Sequence, residues 1–152
     1  MALDKYTIKR IKDDYPYNLL LLADETKEAI DKYLFNSEVF IVENQEEQIA
    51  VFCLYPINKD TIELKNIAVK ETYRNRGLGA QLLTYIKEYC RGNYKALIVG
   101  TPDTSEQTLR FYRRNGFKND YIRENFFIEN YPQPIIENGI QLKHMQVLKS
   151  EL

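Results

Sequence analysis

The chain has a single histidine, His144, two cysteines, and no uninterrupted apolar run of membrane-spanning length. One imidazole leaves no histidine cluster for a metal and argues against a Ser-His-Asp triad. Cys53 and Cys90 fall in a strand-like and a helix-like run without metal-ligand spacing. They read as reduced, buried small residues. A formal charge of −1 supplies no global field for nucleic acid. The start, Met1-Ala2-Leu3-Asp4-Lys5, lacks a signal-peptide pattern. The expectation is a cytoplasmic protein with no metal and with neither a nucleic-acid nor a membrane partner. With 152 residues and 44% apolar content, one domain over 1–152 with a real core is the natural prior.

Periodicity supplies the elements. Residues 6–11 alternate like a strand, and 19–22 and 26–34 read as helical turns with Asp24 as a cap between them. Residues 39–42 and 49–55 are strand-like, joined by the turn Glu43-Asn44-Gln45-Glu46-Glu47. Residues 61–69 form another strand, and 80–90 an amphipathic helix stopped near Gly92. Residues 96–99 read as a short buried strand. Ser105 caps a helix running to Asn115. Residues 117–123 and 141–148 close the order as strands. This is a mixed α/β pattern with helices on both faces of a sheet.

The chemistry concentrates in Tyr73-Arg74-Asn75-Arg76-Gly77-Leu78-Gly79-Ala80, between a strand and a helix. First-turn N–H groups of a helix lack intrahelical partners, and the helix dipole adds positive potential there. Two glycines let that backbone approach an anion, and Arg74 and Arg76 add charge. The dinucleotide fingerprint needs a further glycine where Leu82 stands, and the Walker loop's Gly-Lys-Ser/Thr is absent. Alone, the pair fits an anion cradle and a plain tight turn equally well.

A second segment decides between them. Arg74-x-x-Gly77-x-Gly79 resembles the acetyl-CoA pyrophosphate loop of the GNAT N-acetyltransferases, Arg/Gln-x-x-Gly-x-Gly/Ala. Phe111-Tyr112-Arg113-Arg114-Asn115-Gly116-Phe117 resembles the family's later motif, Tyr-x-x-x-Gly-Phe after an aromatic residue or leucine. The order is the family's, and the likeness covers roughly residues 37–123. It implies a GNAT-type, mostly antiparallel central sheet of six to seven strands with about four helices. It also implies an acetyl-CoA co-substrate. The pyrophosphate is expected on the backbone of Arg74, Asn75, Arg76, Gly77, Leu78, Gly79 and Ala80, and the pantetheine arm on the strand end Ile67-Ala68-Val69. Ser105 stands where the family often has an Asn touching that arm. A backbone N–H near Ile67 would polarise the thioester carbonyl.

The same resemblance implies direct transfer to a primary amine of a small molecule or peptide. An alkyl ammonium titrates near ~10.4, so it must lose a proton before attack. Glu63 is the candidate base. It precedes Arg74 by the same spacing as the glutamate of the histone-acetylating branch, and alternation places it beside Lys65, Ile67 and Val69. A water network is the alternative base. Tyr112 is the candidate acid: with a thiol near ~8.5 and a phenol near ~10, full transfer is uphill by about 2 kcal/mol, so a hydrogen bond with partial transfer is expected. Neither cysteine lies in a motif, which agrees with transfer without an acyl-enzyme. The different-class alternative is a non-catalytic acyl-CoA-sensing domain. Arg110, Arg113 and Arg114 read as solvated positions or contacts to the coenzyme's nucleotide phosphate.

The segment Glu124-Asn125-Phe126-Phe127-Ile128-Glu129-Asn130-Tyr131, continuing to Gly139, is long for a hairpin loop. Phe126, Phe127 and Tyr131 offer apolar walls and Glu124, Glu129 and Glu137 charge for a cationic amine. Packing or a homodimer contact is an equal reading. The tail resembles a bacterial branch labelled aminoglycoside 6′-acetyltransferase-like, which suggests a polyamine-like or amino-sugar acceptor. His144 reads as structural.

Overall fold

Six consecutive buried residues, Ile49-Ala50-Val51-Phe52-Cys53-Leu54, make β3 (Glu47–Pro56) the dry centre of the molecule. A strand apolar on both faces must be covered on both. In the computed structural model, which describes residues 2–152, it is flanked by β2 (Glu38–Asn44) and β4 (Thr61–Val69). With β1 (Thr7–Ile11), β5 (Ala96–Pro102), β6 (Lys118–Arg123) and β9 (Met145–Glu151) they form a seven-stranded sheet, ordered β1-β2-β3-β4-β5-β9-β6. All its pairings are antiparallel except β4–β5. This is the mixed, mostly antiparallel sheet that the resemblance implied.

Among the described residues five α-helices accompany it: α1 (Tyr17–Leu20), α2 (Lys27–Leu34), α3 (Leu78–Cys90), α4 (Glu106–Arg114) and α5 (Phe126–Glu129). On one face Phe40, Phe52, Ile62 and Leu64 meet Leu82, Leu83 and Ile86 of α3 and Leu109 of α4. On the other, Val39, Ile41, Val51 and Cys53 meet Leu19 and Leu20 of α1 and Ile30 and Leu34 of α2. A smaller cluster seats Phe127, Ile135 and Leu142 on Ile98, Met145 and Val147. The expected final strand starts later than its sequence suggested. Ile140–Gln141 (β8) turns back on Ile136–Glu137 (β7), and β9 begins at Met145. The cap of α2 is Thr26, whose hydroxyl accepts the Ala29 N–H at 3.1 Å, rather than Asp24.

Two irregularities of β4 position the site. Its parallel pairing with β5 covers only Thr61↔Ala96 through Leu64↔Val99, although both strands continue. Beyond that point the strands part, and the β4 edge at 65–69 is left without a strand partner on the β5 side. At the same place the register with β3 jumps from Leu54↔Leu64 to Cys53↔Asn66, so Lys65 is an extra residue. A β-bulge of this kind reverses the alternation beyond it. Ile62 and Leu64 before it, and Ile67 and Val69 after it, therefore share the α3/α4 face. Glu63 and Ala68 lie on the other face with Lys65 and Asn66. The expected grouping of Glu63 with Ile67 and Val69 is thus corrected: simple alternation had no means of including the bulge.

Candidate active site

The parting of β4 and β5 opens a cavity of about 620 Å³. Its walls come from 63–67 of β4, 99–102 of β5, and Ser105 and Tyr112 of the α4 segment. The opposite walls come from the α1–α2 connection and the segment after β6. Glu63, Ile67, Ser105 and Tyr112, all singled out from sequence, are brought together here, whereas the 74–80 segment lies outside the cavity wall.

That segment follows directly from the end of β4. A single 3₁₀ turn, Glu71–Tyr73, leads into an extended Arg74, and the chain then passes through positive φ at Asn75 (61°) and Gly77 (77°). Gly77 is the N-cap of α3. Among the described residues no loop or cap acceptor takes the N–H groups of Leu78, Gly79 or Ala80, and the first helical bond returns from Gln81 N–H to the Gly77 carbonyl at 3.2 Å. Open first-turn donors behind a left-handed glycine fit a pyrophosphate. The arginines serve their own loop: Arg74 Nε donates to the Val69 carbonyl at 3.0 Å, and the Arg76 guanidinium lies over the Tyr73 ring at 5.0 Å. The two glycines differ in role. A Cβ on Gly77 would meet nothing within 4 Å, but its φ disfavours a side chain. A Cβ on Gly79 would stand 3.2 Å from Phe111 Cζ, so that glycine also lets α3 and α4 approach. Leu78 and Ala68 point their side chains into the two cores.

Tyr112 is 5% exposed and packs edge-on against Phe111 and Phe117, with ring centroids 5.3 and 5.5 Å away. Among the described residues no partner bonds its hydroxyl. Burial pushes its pKa above the ordinary phenol value, so the hydroxyl keeps its proton. Ser105 starts α4 without using its side chain as a cap, which leaves its hydroxyl for another partner.

Glu63 is 2% exposed, and its two carboxylate oxygens accept from the two terminal nitrogens of Arg123 at 3.0 Å each. Lys65 Nζ stands 3.6 Å from the same carboxylate. Arg123 was not among the residues picked out from sequence. It ends β6, and no local pattern signals a partner so distant in the chain. Asp24 is the second feature that sequence reasoning missed. It accepts from Tyr33 at 3.0 Å and from Tyr131 at 2.5 Å, joining the α1–α2 connection to the segment after α5. Burial and the Asp24 charge raise both phenol pKa values.

Of the acceptor-side residues, Phe126, Phe127, Tyr131 and Glu137 line the cavity, while Glu124 and Glu129 do not. His144 Nδ1 accepts the Asn125 N–H at 3.0 Å and is away from the cavity wall. Arg113 is held by Asn119 at 3.1 and 3.2 Å. Among the described residues no group of three or more His, Cys, Asp or Glu is placed to hold a metal. No helix among the described residues is long and apolar enough to cross a membrane.

Residues 35–119, which contain the split, the loop and both motifs, match the model of the Acetyltransferase (GNAT) domain family. The chain belongs to the GNAT acetyltransferase family. Consistent with this, it is 36% identical over 141 residues to the N-acetyltransferase YvbK of Bacillus subtilis, covering 92% of this chain and 91% of that one. A GNAT-family acetyltransferase from Elizabethkingia anophelis, solved with acetyl-CoA bound, superposes with a TM-score of 0.92 at 43% identity, over 98% of this chain and 99% of that one. An IAA acetyltransferase from Bacillus cereus superposes with a TM-score of 0.89 at 34% identity, over 97% and 99%. This GNAT protein is accordingly an N-acetyltransferase by class.

Proposed function

We propose that the enzyme transfers an acetyl group from acetyl-CoA directly to a primary amine of a small molecule. The observation that carries this reading is the unpaired Tyr112 hydroxyl on the wall of the cavity where β4 and β5 part. The open N–H groups of 78–80 and the left-handed Gly77 suit the pyrophosphate. The free β4 edge at 67–69 suits an amide-bearing arm, because such an arm pairs with a strand edge through backbone hydrogen bonds. The relative that was solved with acetyl-CoA supports the same donor.

Bound acetyl-CoA supplies an activated acetyl: a nitrogen–carbon bond forms as the carbon–sulfur bond breaks, and coenzyme A leaves as the thiol. Tyr112 donates a hydrogen bond to the departing sulfur. Burial holds the phenol neutral, so it acts by hydrogen bonding and the thiol's proton comes ultimately from the acceptor amine through water. Ser105 offers a second hydroxyl at the start of α4. Ile67 contributes its backbone beside the thioester carbonyl. Glu63 acts one step back from the reaction. Both its oxygens already accept from Arg123, so the amine gives its proton to cavity water, and the Glu63–Arg123 pair fixes the wall.

The test is thiol release from acetyl-CoA across a panel of primary amines, from amino sugars and polyamines to amino acids. Release that depends on one chemical class of amine is the expected result. Tight acetyl-CoA binding with no amine-dependent release would overturn the transfer reading and leave an acyl-CoA-sensing domain.

A further inference from the structure

We propose that Asn66 is a binding residue for the acceptor: its side-chain carbonyl takes an N–H of the attacking primary amine. This rests on the acetyl-transfer reading above. Asn66 follows the Lys65 bulge, lines the cavity and is 3% exposed. Its Nδ2 donates to the Leu20 carbonyl and to the Tyr33 hydroxyl, both at 3.1 Å. Its Oδ1 is buried and has no hydrogen-bond partner among the described residues.

The orientation of the amide follows from its partners. A backbone carbonyl only accepts, so the nitrogen must face Leu20. Tyr33 gives its own proton to the Asp24 carboxylate at 3.0 Å, so toward Asn66 it too can only accept. The donors therefore run in one direction, from Asn66 through Tyr33 to Asp24, where Tyr131 and the Glu25 N–H add two more. At the other end is an acceptor without a donor. Among the described residues the only other buried side-chain polar atom in this condition is Oε1 of Gln81, on α3 and off the cavity wall. A buried acceptor left unmatched is costly, and each such exception in a folded protein calls for a reason.

An amine is the donor whose chemistry fits. Asn66 immediately precedes Ile67, where the thioester carbonyl is expected, so a nitrogen held there lies next to the carbon it attacks. A carboxylate at this position would stabilise the ammonium and hold its proton. A neutral carbonyl accepts from ammonium and free amine alike and leaves the proton free to depart. It also spares the amine the charge of Glu63, which Arg123 and Lys65 already engage.

Asn66→Leu and Asn66→Asp, assayed with the best amine of the panel, test the assignment. For Asn66→Leu, KM for the amine should rise about tenfold while the Kd for acetyl-CoA stays within about twofold. The unchanged Kd also certifies the fold. For Asn66→Asp, the basic pH dependence of kcat/KM for the amine should move upward, because the new carboxylate holds the ammonium proton. A merely structural Asn66 would not shift that profile. Weaker acetyl-CoA binding with an unchanged amine KM would overturn the proposal and give Oδ1 to the coenzyme arm. Unchanged kinetics in both variants, or no profile shift in Asn66→Asp, would overturn it as well. Wild-type protein that turns over no amine would instead overturn the transfer reading.

Discussion

Tyr112→Phe removes one oxygen and nothing else from the cavity wall. The ring keeps its edge contacts with Phe111 and Phe117, and the lost hydroxyl has no hydrogen-bond partner among the described residues. With no bond to lose, deleting it should leave stability unchanged or raise it by about 1 kcal/mol. In a chain of this length that is a Tm equal to wild type or up to ~4 °C higher. The reaction should respond in the opposite direction. One positioned donor to developing negative charge is worth roughly 2.7–4 kcal/mol, or about 10²- to 10³-fold in rate. The assay is single-turnover acetyl transfer at saturating acetyl-CoA, beside a thermal melt and an acetyl-CoA titration. The expected result is a slow chemical step in a protein that is as stable as wild type and binds the donor equally well. An unchanged single-turnover rate would reduce Tyr112 to a packing residue. A rate loss matched by a fall in Tm would assign its effect to the core.

Glu63→Gln should remove the charge that pairs with the half-buried Arg123, costing about 2 kcal/mol, which a melt would read as a Tm lower by ~4–8 °C. The double variant Glu63→Gln with Arg123→Met should recover much of that loss; no recovery would refute the pairing as the cause. Gly77→Ala should cost ~1 kcal/mol through its positive φ and weaken acetyl-CoA binding, measured by calorimetry, although the new methyl meets no protein atom. Burial pushes the Cys53 and Cys90 thiols up to about 12, so neither should react with a thiol reagent at pH 8 in the native state, and both should react in denaturant. Because both thiol pKa values rise on folding, the stability they contribute is present below the unfolded thiol pKa near ~8.5 and is lost as pH climbs toward the folded values. Alkaline titration of the melting temperature checks the sign.

The legible parts of this protein were those whose signals are local. The strands 39–42, 49–55 and 61–69 were readable because apolar runs and turn residues are short-range features. The same holds for the loop at 74–80 and the Tyr112 helix, whose glycines and aromatic spacing are contiguous in sequence. Asp24 misled because an acid before a helix is a plausible cap. Thr26 took the cap, since its hydroxyl reaches the Ala29 N–H, and Asp24 was left to bind two tyrosines. The 124–139 segment was visible as long and aromatic. Which of its residues face the cavity followed only from its packing on Ile98, Met145 and Val147.

By itself, the sequence determined the order of elements as far as β6, the family and the candidate residues Glu63, Tyr112, Ser105 and 74–80, because each is written in a pattern a few residues long. The tertiary structure alone decided what those residues meet. Glu63 is paired with Arg123 sixty positions away, and Asp24 with Tyr131 107 positions away. The bulge at Lys65 falls where the register of β4 with β3 jumps and where β4 parts from β5. That one extra residue moves Asn66 to the Glu63 face and Ile67 to the Tyr112 face. Such a choice is made between strands, where the backbone hydrogen bonds are formed, and the side chains of one segment do not encode it.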